Sequence, residues 1–384
     1  MMWGSISISD FLTKSDSLVT VEPDVQYKQI TARLWGKGLT LRAEVPGSSI
    51  AAARQCRAKA GQFLVSRIDA RHGAFGIVPD DLDGALVSND FPCFDIDASR
   101  VLPHFFEWYS RTPEFIDLCR RASEGSTNRV RMKEDQFLNM SVPLPSLEEQ
   151  RRIVDRLNRV AALVVQRRNA IEAAERETNA LLLKAFQSAI DGAPLRPMAE
   201  VAPLVRRPLE IVPSSSYPEL GVRSFGRGTF HKPHLPGAEV GSKKLFRICT
   251  GDLVFNIVFA WEGAVAVAQP EDEGRVGSHR FLTCVPEANT ATVESLRFYF
   301  STSEGLQKLG EASPGGAGRN RTLGLKKLEV LEVPVPPISR QQWFDRLQAK
   351  AHEASSIRAK TAEDIEALIP AMLHELFGAQ EQAA

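Results

Sequence analysis

The chain aligns on itself, and a chain built twice can only fold as two similar units or one pseudo-symmetric one. Displaced by 190 residues, Tyr27 falls on Tyr217, Gly36 and Gly38 on Gly226 and Gly228, and Pro46-Gly47 on Pro236-Gly237. Arg57 meets Arg247, Gly61 meets Gly251, and Gly73-Ala74 meets Gly263-Ala264. Farther along, Tyr109 meets Tyr299, Ala122-Ser123 meets Ala312-Ser313, and Asp155-Arg156-Leu157 meets Asp345-Arg346-Leu347. Turn formers and apolar runs coincide together, which single identities would not require. Both copies pass through a Gly/Arg loop (125–129 and 315–321) and leave by a proline exit, Val142-Pro143-Leu144-Pro145 and Val333-Pro334-Val335-Pro336-Pro337.

Within each copy, short β-type runs bounded by Gly, Pro and Asp precede a helical stretch at 102–121 or 293–310. The run 253–268 reads as a buried strand, a turn near Glu262-Gly263 and a second strand. The pattern predicts an α+β domain of about 140 residues in each half. A long helix follows each exit. Ser146 with Glu149 forms a capping box, and Ser339 with Gln342 repeats it. Ile153, Leu157, Val160, Val164, Ile171, Ala174, Leu181 and Ala185 make a heptad seam interrupted by Arg167 and Thr178. Phe344, Leu347, Ala351, Ala354, Thr361, Ile365, Leu368 and Met372 make a second, interrupted by Arg358. Gly192 and Gly378 stop the helices, and Pro370 should kink or break the second. At 1.5 Å per residue the first helix is roughly 60–65 Å long, more than one such domain can bury. The expected architecture is α+β: two tandem-repeat globular domains, 1–145 and 193–337, separated by a long antiparallel coiled-coil pair, 146–192 and 338–384.

Chemistry is conspicuous by what is missing. No G-x-x-x-x-G-K-[ST] or strand–G-x-G-x-x-G–helix unit occurs, nor Gly-x-Ser-x-Gly, nor Asn-Pro-Pro-aromatic. Pro79-Asp80 could open a P-D…[DE]-x-K nuclease motif, but no lysine has an acidic residue two places before it. His231 and His234, separated by Pro233, read as a surface loop, and five scattered cysteines read as buried, reduced thiols. These absences predict a non-catalytic chain with no metal site. The amino terminus lacks signal-peptide character and no run is long enough to span a bilayer, so a cytoplasmic protein is expected.

Binding surfaces remain. Lys+Arg and Asp+Glu both total 47, which disfavours a free-standing, non-specific nucleic-acid binder. Even so, basic residues cluster in corresponding places. Arg54, Arg57 and Lys59 are matched in part by Lys243, Lys244 and Arg247. The Gly/Arg loops bring Asn128, Arg129, Arg131 and Lys133 in one copy and Arg319, Asn320 and Arg321 in the other, with Lys326 and Lys327 close behind. Glycine lets a backbone approach phosphates, and arginine can read guanine bidentately.

Two variable α+β domains, each leaving through Pro-x-Pro into a capped helix, resemble the specificity subunit of type I restriction–modification systems. The resemblance is strongest over 140–154 (Met-Ser-Val-Pro-Leu-Pro-Ser-Leu-Glu-Glu-Gln-Arg-Arg-Ile-Val), over 331–342, and over the helix tails 181–186 and 372–378. It implies that each domain is a target-recognition domain reading half of a bipartite DNA site, and that the helices set the spacer. It further implies docking of adenine methyltransferase subunits, two in number, and of motor-endonuclease restriction subunits. Glu148, Glu149, Arg152, Gln341 and Gln342 are the docking candidates, although the second exit has Ser339-Arg340 where the first has Glu148-Glu149. S-adenosylmethionine, ATP and Mg would sit on the partners and no cofactor on this chain. Two alternatives stay open: a protein–protein scaffold of two adaptor domains on a coiled-coil spacer, and a specificity subunit serving a fused methyltransferase–nuclease.

Overall fold

The computed structural model describes residues 3–124, 130–315 and 321–378. The chain divides into two compact units, Met1–Ile171 with Lys360–Ala384, and Glu172–Ala359. Each is α+β, and each takes one part of both long helices.

The first unit has a five-stranded sheet in the order Leu18–Thr20, Arg54–Arg57, Leu86–Val87, Gln26–Ala32, Leu39–Pro46. The last two strands form its long hairpin, whose register shifts between Gln29 and Ile30, while Gln29 meets Leu86 in parallel. A four-stranded sheet runs Leu12–Lys14, Cys93–Ile96, Phe63–Val65, Phe75–Ile77. The residues predicted as one helical stretch form two helices, Pro103–Ser110 and Pro113–Arg121. Thr112 ends the first and caps the second, its Oγ1 accepting the Phe115 N–H at 3.3 Å, and Pro113 follows where a missing N–H costs nothing. The core is aromatic: Phe63, Phe75, Phe106 and Phe115 meet edge to face or tilted at 4.7–6.0 Å. Ile153 and Leu157 reach it from the start of the first long helix, and Leu373 and Phe377 from the end of the second.

The second unit repeats the plan. One sheet runs Thr229–Pro236, Ser216–Val222, Val276–Ser278, Leu245–Arg247; another runs Val265–Val267, Leu253–Asn256, Phe281–Cys284. The strand–turn–strand reading of 253–268 holds, with Leu253 opposite Val267 and Gly263 at φ +77°. Two short helices again replace one, Val293–Tyr299 and Ser303–Glu311, with Thr302 capping the second. Phe186, near the end of the first long helix, packs on Phe298 and Phe344 at 4.9–5.0 Å.

The helices themselves are Leu147–Ile190 and Ile338–Leu373. Ser146 caps the first, its Oγ accepting the Glu149 N–H at 3.3 Å. The second capping box does not form. Ile338 already begins that helix, Ser339 lies inside its first turn, and the Pro337 carbonyl accepts from Arg340. One residue inserted before the exit moves the repeat offset from 190 to 191, so Pro337 stands where Ser146 does. The expected match of Asp155-Arg156-Leu157 with Asp345-Arg346-Leu347 is therefore one residue out of step. Pro370 does not break the helix, which continues to Leu373 and closes in one π-helical turn, His374–Gly378. The seams hold at their starts, then slip by a residue: Leu181 is 67% and Leu368 46% exposed, while Leu182 and Ile369 pack against the domain cores. A helix of 3.6 residues per turn drifts about 20° per heptad against a 3.5 repeat, enough over four heptads to bring the neighbouring residue inward. In the second unit the polar interruptions find each other, Arg358 donating to Glu175 at 2.7 Å and to Thr178 Oγ1 at 3.3 Å.

Candidate nucleic-acid interface

The predicted cations fall into three environments. Arg54 and Arg57 stand exposed on the strand Arg54–Arg57, with Lys59 exposed just after it. Lys243 and Lys244 are exposed before the strand Leu245–Arg247, and Arg247 is exposed on it. No ion pair engages any of these six among the described residues, so their charges face solvent. Lys133 is also exposed, at the start of the short helix Glu134–Leu138.

Two candidates are used inside their own domain. Arg131 pairs with Asp90 at 2.8 Å, half exposed. Arg321 turns inward: its guanidinium donates to the Ser313 carbonyl at 3.2 Å and the Gly310 carbonyl at 2.9 Å, and lies 4.9 Å from the Trp261 ring centre. It satisfies orphan carbonyls at the end of the helix Ser303–Glu311, where a cation also favours the helix dipole. It is thus a helix cap and not a free reading residue. Asn128, Arg129, Arg319 and Asn320 lie outside the described residues.

The docking candidates divide likewise. Glu148 and Arg152 are exposed and Glu149 is half-buried on the first turns of their helix, Arg152 bridging to Glu148 at 2.7 Å and Glu149 at 3.4 Å. Gln342 is exposed. Gln341 is not a surface residue: it is 2% exposed and makes three hydrogen bonds within its domain. Its amide donates to the carbonyls of Thr290 (2.9 Å) and Pro336 (2.7 Å), and its Oε1 accepts the Thr292 N–H at 2.9 Å. Gln150 does the same in the first repeat, donating to Arg100 and Pro145 at 3.0 Å each and accepting from Leu102 at 2.8 Å. These paired glutamines fasten each helix start to its domain, which explains why glutamine occurs at both places.

His231 and His234 lie on the strand Thr229–Pro236 rather than in a loop, with His231 Nε2 2.9 Å from the buried Asp272. All five cysteines are free; Cys93, Cys119 and Cys284 are buried, whereas Cys56 and Cys249 are only half so. Burial pushes the Cys93 and Cys284 thiols up to about 12, which makes them inert as nucleophiles near neutrality. Among the described residues no group of three or more His, Cys, Asp and Glu could hold a metal ion, and no helix is long and apolar enough to cross a membrane.

Sequence reading missed the feature both repeats share most closely. Each long hairpin turns through an Arg-x-aromatic-Gly-basic-Gly segment, residues 33–38 and 223–228. Trp35 and Phe225 adopt left-handed backbone, φ +64° and +61°, followed by Gly36 and Gly226 at +64° and Gly38 and Gly228 at +75°. Their N–H groups donate to the carbonyls of His72 (2.7 Å) and Glu262 (2.8 Å), and the next glycine N–H donates to Gly73 or Gly263. A Cβ on Gly73 would lie 2.7 Å from the Gly36 nitrogen, so a glycine is required there. The rings are left 65% and 72% exposed. The signal lay in the glycines that align at 190; the aromatic before them differs between copies and so escaped an identity search. The second turn lines one cleft, and another lies beside His72, which accepts from the Trp35 N–H. One of about 450 Å³ is lined by Arg71, His72 and Arg120, and one of about 630 Å³ by Arg227, Gln269, Arg297 and His352.

Two solved structures share this architecture over nearly their whole length. The HsdS subunit from Thermoanaerobacter tengcongensis superposes with a TM-score of 0.57 at 17% identity, covering 98% of this chain and 97% of that one. A structure described as the basis of complex assembly and conformational transition of the type I R-M system superposes with a TM-score of 0.67 at 18% identity, with coverage of 98% and 97%. No protein-family model and no curated protein matches the sequence. At these identities the likeness concerns the fold: two α+β domains and a long helix pair, in the same order along the chain as in a type I specificity subunit.

Proposed function

We propose that the chain is the DNA-specificity subunit of a type I restriction–modification complex. The observation that carries this reading is the likeness in fold to a specificity subunit across both repeats and both helices, at 98% of the chain. Unpaired cations that match in part between the repeats, Arg54 and Arg57 with Lys244 and Arg247 at corresponding places and Lys59 and Lys243 beside them, supply the phosphate contacts such a role needs. In this reading 1–145 and 193–337 are two target-recognition domains, each addressing half of a bipartite duplex site. The helices 146–192 and 338–384 set the spacer and carry the docking of two methyltransferase subunits and of the motor-endonuclease subunits. Catalysis belongs to those partners, which would hold S-adenosylmethionine, ATP and Mg. The complex would act on DNA in the cytoplasm.

The test is a base-modification map of a host expressing the chain with the methyltransferase encoded beside it, against a host lacking the chain. Methylated adenines in a two-part motif with a fixed spacer, lost in the control, are expected. No new motif from an assembled complex would sink the reading in favour of a protein scaffold. Separately, Arg129→Ala should weaken one half-site and Arg319→Ala the other, measured as affinity for duplexes mutated in either half.

A further inference from the structure

We propose that Trp35 and Phe225 are DNA-stacking side chains, one in each repeat, each laying its ring on a base face at a distorted step of the duplex. This inference rests on the DNA reading above and names the residues that act within it. The first ground is backbone. Trp35, Phe225 and Asn289 are the described non-glycine residues with positive φ, and two of those three are bulky aromatics at the same place in the two repeats. Left-handed backbone is unfavourable for such side chains, and an outlier held by its surroundings is a marker of function.

The second ground is exposure. A ring that earned its place by packing would be buried, yet these are 65% and 72% exposed and occupy the outer end of a hairpin. The backbone beneath them is held fast. Four hydrogen bonds of 2.7–3.0 Å in the two copies dock the turns onto the carbonyls of His72-Gly73 and Glu262-Gly263, and the Arg33 and Arg223 N–H groups close the hairpins by donating to the Gly38 and Gly228 carbonyls. A rigid base carrying an exposed flat ring suits stacking, because little ordering remains to be done on contact.

The third ground is charge and tolerance. Arg33 and Lys37 flank Trp35, and Arg223 and Arg227 flank Phe225, all four exposed. The Arg223 guanidinium is held by its own hairpin, donating to the Thr229 carbonyl at 2.7 Å and lying 4.8 Å from the Phe230 ring centre, so Arg33, Lys37 and Arg227 are the cations available to phosphates beside a contacted base. Arg227 lies 5.8 Å from the Phe225 ring centre, which keeps a cation beside the stacking face. The ring itself changes from Trp to Phe while the turn around it does not. Stacking on a base needs a π-face and not a particular aromatic, so the substitution fits this role better than a fitted protein pocket.

The experiment uses the chain assembled with its methyltransferase and a duplex bearing the motif found in the modification map. Trp35→Gly and Phe225→Gly are the decisive variants, because glycine takes this backbone without strain. Both are expected to unfold at the wild-type temperature or above it and to assemble normally. Each should bind the duplex about ten- to a hundredfold more weakly, the range that base–aromatic stacking sustains. Permanganate should find an unstacked thymine in each half-site with wild type, lost in one half with Trp35→Gly and in the other with Phe225→Gly. Trp35→Phe should keep both signals. Wild-type affinity and reactivity in the glycine variants would overturn the inference while leaving the DNA reading intact. Failure of those variants to capture the methyltransferase would reassign the rings to protein docking. A wild-type complex that retains no DNA would overturn both readings.

Discussion

The two repeats share a backbone plan but hold it with different chemistry. In the first, the turn before the strand Phe63–Val65 is closed by Gln62, 3% exposed, which accepts the Lys59 N–H at 2.9 Å and donates to Asp95 at 2.7 Å. In the second, Asp252 at the corresponding place is 2% exposed, accepts the Cys249 N–H at 2.9 Å, and forms a two-pronged pair with Arg207 at 2.6 and 3.0 Å. Elsewhere the trade runs the other way. Glu134 in the first repeat binds Lys14 at 2.8 Å and Arg67 at 2.5 Å, where the second has Leu325, Leu204 and Ile257. The surrounding backbone is the same: Met132 donates to the Arg67 carbonyl, and Leu323 to that of Ile257, both at 2.8 Å. Hydrogen-bonded turns therefore fix the fold, and the side chains that fill it are exchangeable between polar and apolar sets.

The largest test of that comparison is Arg207→Ala. It strands a buried carboxylate and should cost about 2–4 kcal/mol, the figure for a broken buried pair reduced because Arg207 itself is 30% exposed. Asp95→Ala strands only a neutral amide and should cost about 1–2 kcal/mol. Local unfolding followed by hydrogen exchange at the Cys249 and Lys59 amides would read the two repeats separately. Equal losses would show that the charge difference is immaterial.

The glutamine clasps predict the opposite, sameness. Gln150→Ala and Gln341→Ala each free buried carbonyls and a buried N–H, and both should lose about 2–3 kcal/mol. Unequal losses in matched thermal melts would mean the repeats fasten their helices differently. The ion triad comes next. Glu134→Ala alone should cost about 1–2 kcal/mol by leaving Lys14 and Arg67 unpaired, whereas the triple change Lys14→Leu, Arg67→Ile, Glu134→Leu should be close to neutral. A triple variant less stable than the single one would show that each repeat's set depends on its own surroundings.

What the sequence made legible follows from where its signals are local. Proline exits, the Ser146 cap, helical spacing and aligned glycines each act through a few neighbouring residues, and the two-domain, two-helix plan could be read from them. The missed features were long-range or depended on one residue of register. Thr112-Pro113 and Thr302 split helices whose apolar spacing alone read as continuous, because the spacing survives a short break. Gln341 sat one place from the expected cap and so was taken for a surface residue. Arg321 was grouped with loop cations by composition, though its carbonyl partners 8 and 11 residues away give it a capping role. Trp35 and Phe225 differ in identity, so the glycines aligned at 190 set them opposite each other, but only their shared left-handed backbone marks them as alike.

The smallest expected effect concerns the polar layer between the long helices in the second unit. Arg358 holds the Glu175 carboxyl below the usual carboxylate range through their hydrogen bond. A carboxyl lowered in the folded state stabilises above its unfolded value of about 4.3 and loses that contribution as pH falls through the lowered folded value. Arg358→Ala should therefore flatten the acid limb of the stability profile. Near neutrality it should cost under about 1 kcal/mol, since Glu175 is a third exposed and solvent screens the pair. Arg358→Leu sharpens the test, because it keeps the packing and removes the charge. If the leucine variant is as stable as wild type at pH 7 yet no longer loses stability to the same degree below pH 4, the arginine acts through Glu175 alone. If it is less stable at every pH, the Thr178 contact matters as well, and the layer fixes helix register rather than merely tolerating a charge.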